Sequence, residues 1–438
     1  MSTSADRPAA GDLATASAET APRHKTAATQ AAGWRSLGSR TFYSLNRHPD
    51  FRVLWFGNVG TMLGQWVQFA AQGYLVFQLT NSPFQVGAVS FVRGVSSVAV
   101  SPFAGAITDR FSRRSVLMAM TAMSAVVALA LTLLIVADVI NVWMMYPIAM
   151  LEGLADAVNQ PARQIMVYDV VGEDDLPNAV AVNSLGSNTM RIVGPALAGA
   201  LIGAAGIEAA FALQAAAYVV SVYFTSRIKT KGVPVSANTT SVLRSTADGI
   251  AYARSNPDVR LLVFMAGLPA LLVYPYVQYI PVFAEDVLGV GSLGFGFLAS
   301  AVGYGSIVGA VLAANLTGLR KRGQILVWTT FVYMALVTAF ASSDVYALSF
   351  ALLVLAGVAN STYLMFNQVM VQLIVDDEYR GRVLSLYVMV SGVTPFSALL
   401  MGALIDAFGA RVTVASFTGL AAAIVLLIGL TSRRLREI

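Results

Sequence analysis

Long apolar stretches alternate with short polar connections along most of the chain. From residue 51 onward, apolar runs of about 20 residues recur, and each can cross a hydrocarbon core of roughly 30 Å as a helix. The pattern predicts an all-α membrane protein. Its twelve predicted spans, numbered 1 to 12 in chain order, are 51–78, 84–106, 115–137, 142–167, 178–203, 207–227, 259–282, 293–316, 324–341, 346–371, 382–405 and 410–431.

Four of these spans carry polar residues at helical spacing. Because steps of three and four residues return to the same helix face, each set forms a stripe that avoids lipid. The stripes are Asn58, Thr61, Gln65, Gln68 and Gln72 in span 1; Glu152, Asp156, Asn159 or Gln160, and Arg163 in span 4; and Asn360, Tyr363 and Asn367 in span 10. Span 7 adds Tyr274, Gln278 and Tyr279 between Pro269, Pro275 and Pro281, which predicts a discontinuous helix beside a cavity.

We therefore predict a central cavity lined by spans 1, 4, 7 and 10. The candidate lining residues are Gln65, Gln68, Gln72, Asn159, Tyr274, Gln278, Tyr279, Asn360, Tyr363 and Asn367. For any one of these side chains, an ordinary hydrogen bond between neighbouring helices is an equally good interpretation. The joint pattern on four spans favours the cavity.

Charge placement predicts the orientation in the membrane. Of the 438 residues, 57% are hydrophobic and 12% are charged, and basic residues concentrate in alternate connections. Since basic residues near span ends resist translocation, both termini are predicted to be cytoplasmic. The net charge of +5 is spread over loop ends, which argues against a nucleic-acid partner. The basic residues are Arg110, Arg113, Arg114, Arg227, Lys229, Lys231, Arg244, Arg254, Arg260, Arg320, Lys321, Arg322, Arg380, Arg382, Arg433, Arg434 and Arg436, whereas the opposite connections hold only Arg411.

The chain repeats itself after span 6. GALI occurs at 199–202 and at 402–405, 203 residues apart, and each copy follows an acidic turn, GEDDLPN or VDDEYRG. Six spans plus six, starting from the same side, predict two pseudo-symmetric six-helix bundles. The bundles are residues 51–227 and 259–431. They are joined by a cytoplasmic linker, 228–258, with an amphipathic helix capped by Ser241. The flanking tails are 1–50 and 432–438; the first is mostly disordered, and an interfacial helix or a solvated tail fits 34–45 equally.

Two motifs carry a resemblance to a known family. GAITDRFSRR after span 2 and GSNTMRIVGPALAG in span 5 resemble the cytoplasmic signature and the antiporter motif of the major facilitator superfamily. The region 151–202 resembles its branch of enterobactin-type exporters and macrolide efflux proteins. The resemblance implies a cytoplasmic latch of Gly105, Asp109, Arg110, Arg113 and Arg114, and an antiporter-like motif of Gly186, Gly194, Pro195 and Gly199. The second-half loop has Gly318 where an aspartate is usual, so a second latch is weak or absent.

Three charged residues are predicted near the middle of the membrane. Glu152, Asp156 and Arg191 lie roughly 15–21 Å below the outer surface. A lone charge at that depth costs at least about 2.5 kcal/mol, so we expect Arg191 to pair with Asp156 or Glu152. Arg93 in span 2 is an alternative partner. The surplus carboxylate is then a candidate to bind and release a proton.

The sequence thus favours a proton-coupled exporter of a small amphipathic molecule, such as a drug or a siderophore-like metabolite. The protein is expected to act as a monomer in the plasma membrane by alternating access. An uptake permease of the same fold and a non-transporting scaffold or sensor remain as alternatives. Neither an enzyme nor a cofactor or metal site is expected, because the only histidines, His24 and His48, precede span 1 and no nucleophile triad or phosphate loop occurs.

Overall fold

The computed structural model describes residues 42–230, 242–316 and 321–431. Predictions for residues 1–41, for 231–241 including Ser241, for 317–320 including Gly318, and for 432–438 lie outside these ranges. Within them the regular structure is helical, without strands.

The first half contains spans 1 to 6. A short helix, Tyr43–Arg47, precedes span 1. The spans are Pro49–Thr80, Pro83–Arg110 and Arg113–Val136, then Val142–Ala205 for spans 4 and 5 together, and Ile207–Arg227 for span 6. Side-chain caps begin span 2 at Ser82 and span 4 at Asn141.

The second half contains the linker helix and spans 7 to 12. The linker helix is Val242–Ser255. Span 7 consists of four helical segments: an α-helix Pro257–Leu272, a 3-10 helix Tyr274–Tyr279, an α-helical turn Ile280–Val282 and a π-helix Phe283–Val287. Spans 8 to 12 are Gly291–Leu316, Arg322–Ser342, Tyr346–Ile374, the pair Asp377–Ser391 and Thr394–Phe408, and Ala410–Thr431.

The two halves repeat one packing scheme. Span 2 packs on span 4 and span 3 on span 6; likewise, span 8 packs on span 10 and span 9 on span 12. This confirms the predicted fold of twelve spans in two pseudo-symmetric six-helix bundles. By length and composition alone, eight spans in the described ranges are apolar enough to cross a membrane. Spans 1, 4, 5 and 11 fall outside that group, because span 1 carries the polar stripe, spans 4 and 5 share a charged turn, and span 11 is broken at Gly392.

The acidic turn between spans 4 and 5 corrects one expectation. The predicted spans 142–167 and 178–203 left residues 168–177 between them, but the chain is helical through this stretch on both sides of a kink at Gly172, whose φ is 73°. Only glycine takes such a backbone angle readily. The acids that follow, Glu173, Asp174 and Asp175, stand at the start of the span 5 helix, where the helix dipole favours negative charge.

The halves contact each other on the side opposite the start of span 1. We call the side where span 1 begins, predicted to be cytoplasmic, the inner side, and the opposite side the outer side. At the outer side Asp406 accepts hydrogen bonds from the Ser82 hydroxyl (2.8 Å) and the Phe84 amide (3.3 Å). The Tyr74 hydroxyl donates to Glu285, and the Ser90 hydroxyl donates to Gln278. The outer side of the molecule is therefore closed.

Small residues let spans 2 and 11 approach closely in this closed arrangement. A methyl group at Gly94 would collide with the ring of Pro395. We expect Gly94→Ala to open the outer side and to raise outside labelling of Val86→Cys by about fivefold or more, since overpacking costs at least roughly 1 kcal/mol. The measurement is the reaction rate with a membrane-impermeant maleimide, which is specific because the natural chain has no cysteine.

Gly419→Ala is the matched control for this prediction. A methyl group there would lie 3.7 Å from Thr338, an ordinary contact, so labelling should not change. Equal labelling rates in the two variants would contradict the proposed steric role of Gly94.

Candidate functional site

A cavity of about 310 Å³ lies between the two halves below the outer contacts. Spans 1, 2, 4, 7, 8 and 11 supply its walls. The lining residues include Phe69, Gln72, Ser90, Arg93, Ser97, Asp156, Gln278, Pro281, Phe295, Ala299, Thr394 and Pro395. The predicted lining residues Gln72 and Gln278 therefore reach this cavity, and so does Asp156.

Asp156 is the centre of a charged cluster in the cavity wall. Arg93 donates to its Oδ2 from Nη2 at 2.6 Å and from Nε at 3.2 Å, while Gln65 donates to its Oδ1 at 2.9 Å. The Arg93 and Asp156 side chains are 21% and 27% exposed, so the pair faces the cavity without being solvated freely. The polar face of span 1 thus meets the acidic face of span 4.

Arg191 does not pair with Asp156 or Glu152, contrary to our expectation from its depth in the membrane. Asp156 pairs with Arg93 of span 2, the alternative partner, because span 2 packs directly on span 4. The close approach depends on Gly153, where a side chain would strike the carbonyl group of Arg93. Arg191 lies over the ring of Trp66 instead, with Cζ 5.6 Å from the ring centroid.

Glu152 lies one helical turn away from Asp156 and is almost fully buried, at 3% exposure. Its Oε2 accepts a hydrogen bond from Gln72 Nε2 at 3.0 Å, and its Oε1 has no hydrogen-bond partner in the described structure. The positive charge of Arg93 acts on both carboxyl groups, although only Asp156 bonds to it. Arg93 is thus bonded to one acid and close to the other.

Two other predicted cavity residues of the first half, Gln68 and Asn159, bond to side chains within the first bundle. Gln68 accepts a hydrogen bond from the Tyr218 hydroxyl at 3.0 Å. Asn159 accepts from Arg163 at 3.1 Å, and Arg163 also donates to the Asn58 side chain at 3.0 Å. This buried arginine cluster was missed as a site, although Arg163 stood in the predicted stripe of span 4.

The predicted residues of the second half mostly join span 7 to its neighbours. Tyr274 donates to Asn360 at 3.3 Å, Tyr363 to the carbonyl of Met265 at 3.1 Å, and Asn367 to the carbonyl of Leu262 at 3.4 Å. The Tyr279 hydroxyl donates to the carbonyl of Ala398. The lining of the cavity described above includes none of Tyr274, Tyr279, Asn360, Tyr363 and Asn367, so the interhelical interpretation fits these five side chains.

The predicted latch residues lie at the inner ends of spans 2 and 3. Arg113 Nη1 donates to both carboxylate oxygens of Asp169 in span 4, at 2.7 and 2.6 Å, and Arg114 donates to the carbonyl of Ser226 at 2.6 Å. Arg110 is exposed, and no atom lies within 4 Å of a side chain added at Gly105. The side chain of Asp109 lies outside the described part of the structure.

The antiporter-like motif of span 5 makes close helix contacts. Side chains added at Gly186 and Gly194 would meet Trp55 and Trp66 of span 1. Gly199 lies against Gly296 of span 8, which also contacts the carbonyl of Pro195. Span 5 is thus packed between the two halves.

Comparison with known proteins identifies the chain. A family model described as transmembrane secretion effector, within the major facilitator superfamily, matches residues 41–437. The chain is 25% identical over 354 residues to the staphyloferrin A transporter of Staphylococcus aureus, covering 79% of this chain and 87% of that protein. It is 21% identical over 399 residues to the enterobactin exporter of Escherichia coli, covering 90% and 95%.

Solved structures agree on the fold. The crystal structure of a point mutant of the nucleoside transporter NupG superposes with a TM-score of 0.71 at 12% identity, over 87% of this chain and 99% of that one. The predicted resemblance is confirmed: the protein is a multi-pass membrane transporter of a small molecule and not an enzyme. The chain belongs to the major facilitator superfamily, in its family of transmembrane secretion effectors.

Proposed function

We propose that the protein is a proton-coupled exporter of a small amphipathic molecule, acting as a monomer with both termini in the cytoplasm. The names of two relatives, a staphyloferrin A transporter and an enterobactin exporter, support a siderophore-like substrate. The observation that carries the coupling is Glu152, a buried carboxyl group with one unpaired oxygen beside a cavity-facing ion pair.

The chemistry of this cluster suits proton exchange. A carboxylate without a bonded cation is costly to bury, whereas the protonated acid is uncharged and can donate a hydrogen bond. Asp156 holds Arg93 directly, so Glu152 is the group whose proton can leave and return at least cost to the packing. Asp156 and Arg93 then serve to keep the charge of the cavity wall fixed.

The proposed cycle alternates between the two sides of the membrane. Residues 51–227 and 259–431 act as the two moving bodies, with 228–258 joining them. With the outer side closed, the substrate enters the cavity from the cytoplasm and Glu152 releases its proton inward. After the outer contacts part, the substrate leaves and Glu152 takes up a proton from outside.

The test is transport in everted vesicles with and without an imposed pH gradient, using staphyloferrin A, enterobactin and a macrolide as probes. We expect at least one probe to accumulate against its concentration gradient only when the vesicle interior is acidic, and a protonophore to abolish the accumulation. Uphill accumulation that ignores the pH gradient would remove proton coupling. Accumulation only in right-side-out vesicles would indicate an uptake permease instead.

A further inference from the structure

Arg191 is a cation inside span 5 that the coupling cluster does not use. Among the residues that the structure describes, no carboxylate lies within ion-pair distance of it and no side chain or backbone group accepts a hydrogen bond from it. The side-chain nitrogens of Arg191 are not fully enclosed by protein, so they are accessible to water or to a ligand. Its one observed interaction is with the face of Trp66.

That single interaction leaves much of the charge uncompensated. A lone arginine near the centre of a membrane is costly, and a cation over an aromatic ring offsets only part of that cost. The five N–H donors of the guanidinium group also require acceptors. An anion or water in the open space beside Arg191 would supply them.

The position of Arg191 is between the two halves rather than at the lipid. Its own carbonyl group lies close to Gly303 of span 8 in the other half. The ring of Trp66, over which Arg191 lies, packs edge-on against Phe69 of the cavity wall, with the ring centroids 5.9 Å apart. The Arg191–Trp66 pair therefore adjoins the cavity between the halves.

We propose that Arg191 and Trp66 form a binding subsite for the anionic group of an organic anion that carries an aromatic or apolar body. This inference rests on the proposed transport function, because it names the substrate class of the same pathway. The guanidinium group binds a carboxylate-like group through charge-assisted hydrogen bonds. The indole of Trp66 and the neighbouring ring of Phe69, which lines the cavity, provide apolar surface for the rest of the molecule.

The surrounding charges give the subsite its sign. Asp156 is paired with Arg93, and Glu152 is buried against Gln72, so neither carboxyl group of the cavity cluster bonds to Arg191. A positive charge in a low-dielectric cleft attracts anions and repels cations. The transport pathway is therefore selective for organic anions over organic cations of equal size.

The test compares two probes of nearly equal shape, 2-naphthoate and its uncharged amide, 2-naphthamide. Equilibrium binding is measured on the purified full chain in detergent, without any proton gradient. We expect 2-naphthoate to bind more tightly than the amide, and Arg191→Gln to weaken the carboxylate by about tenfold or more while changing the amide by less than about twofold. Arg191→Lys keeps the charge and should retain a preference for the carboxylate.

Each other outcome overturns the subsite. Equal binding of the two probes to the natural protein contradicts it, and so does an Arg191→Gln variant that loses both probes equally or neither. If Arg191→Gln does not fold, the test is the preference for 2-naphthoate over 2-naphthamide in the natural protein and in Arg191→Lys. Absence of that preference in either protein contradicts the subsite. Because no pH gradient is present, failure here is distinguishable from failure of proton-coupled export, which the vesicle assay measures separately.

Discussion

Replacing Glu152 by glutamine is expected to abolish uphill transport while the protein still folds. Glutamine has nearly the same shape and can keep a hydrogen bond with Gln72, but it cannot exchange a proton. Accumulation in everted vesicles under a pH gradient should fall to the level of vesicles without the protein. Downhill exchange of labelled for unlabelled substrate should continue, because the cavity and its closure remain intact.

Asp344→Asn is the matched control for that substitution. Asp344 is also a carboxylate, but it is 75% exposed at the outer surface beside Arg411, so its amide variant should transport normally. Full uphill accumulation by Glu152→Gln would show that Glu152 does not carry the proton.

Replacing Arg93 by glutamine is expected to destabilise the protein strongly. The substitution leaves Asp156 in the membrane interior with only Gln65 as a hydrogen-bond donor among its described partners. Removing one partner of a buried ion pair costs about 3–5 kcal/mol of folding free energy. Because this pair is partly exposed, we expect a loss near about 3 kcal/mol. The free energy of unfolding in mixed micelles measures the loss.

The double variant Arg93→Gln with Asp156→Asn should recover most of that stability, because two amides can bond to each other without charge. Arg411→Gln is the surface control; its pair with Asp344 spans 3.5 Å and is solvated, so the change should stay within about 0.5 kcal/mol. If the two single losses simply add in the double variant, Arg93 and Asp156 do not interact as described.

The sequence predicted the architecture because span length and charge asymmetry depend on the membrane itself. It also placed Gln65 and Gln72 on one face of span 1 and Glu152 and Asp156 on one face of span 4, since helical periodicity decides which residues share a face, and these two faces meet in the structure. Periodicity decides no more than that. Asn360, Tyr363 and Asn367 obey the same spacing, yet they bond to Tyr274 and to span 7 backbone, since a helix neighbour and a cavity both accept a polar stripe.

The partner of Asp156 was harder to predict, because counting residues gives the depth of a charge but not its direction around the helix. Arg191 and Arg93 are both deep enough, and only packing separates them. Gly153 was the overlooked signal, since it lets span 2 bring Arg93 against span 4. A glycine one turn from a buried acid indicates where the next helix approaches.

The mixed winding of span 7 links its length to the outer contacts. A 3-10 helix rises about 2.0 Å per residue and an α-helix about 1.5 Å, so rewinding the segment Tyr274–Tyr279 as α-helix would shorten span 7 by about 3 Å. A hydrogen bond tolerates only a few tenths of an ångström of stretching. Glu285, carried on the π-helix beyond that segment, would then withdraw from Tyr74. A change in the winding of Tyr274–Tyr279 is therefore expected to break the hydrogen bond between Tyr74 and Glu285 and so to loosen the closed outer side.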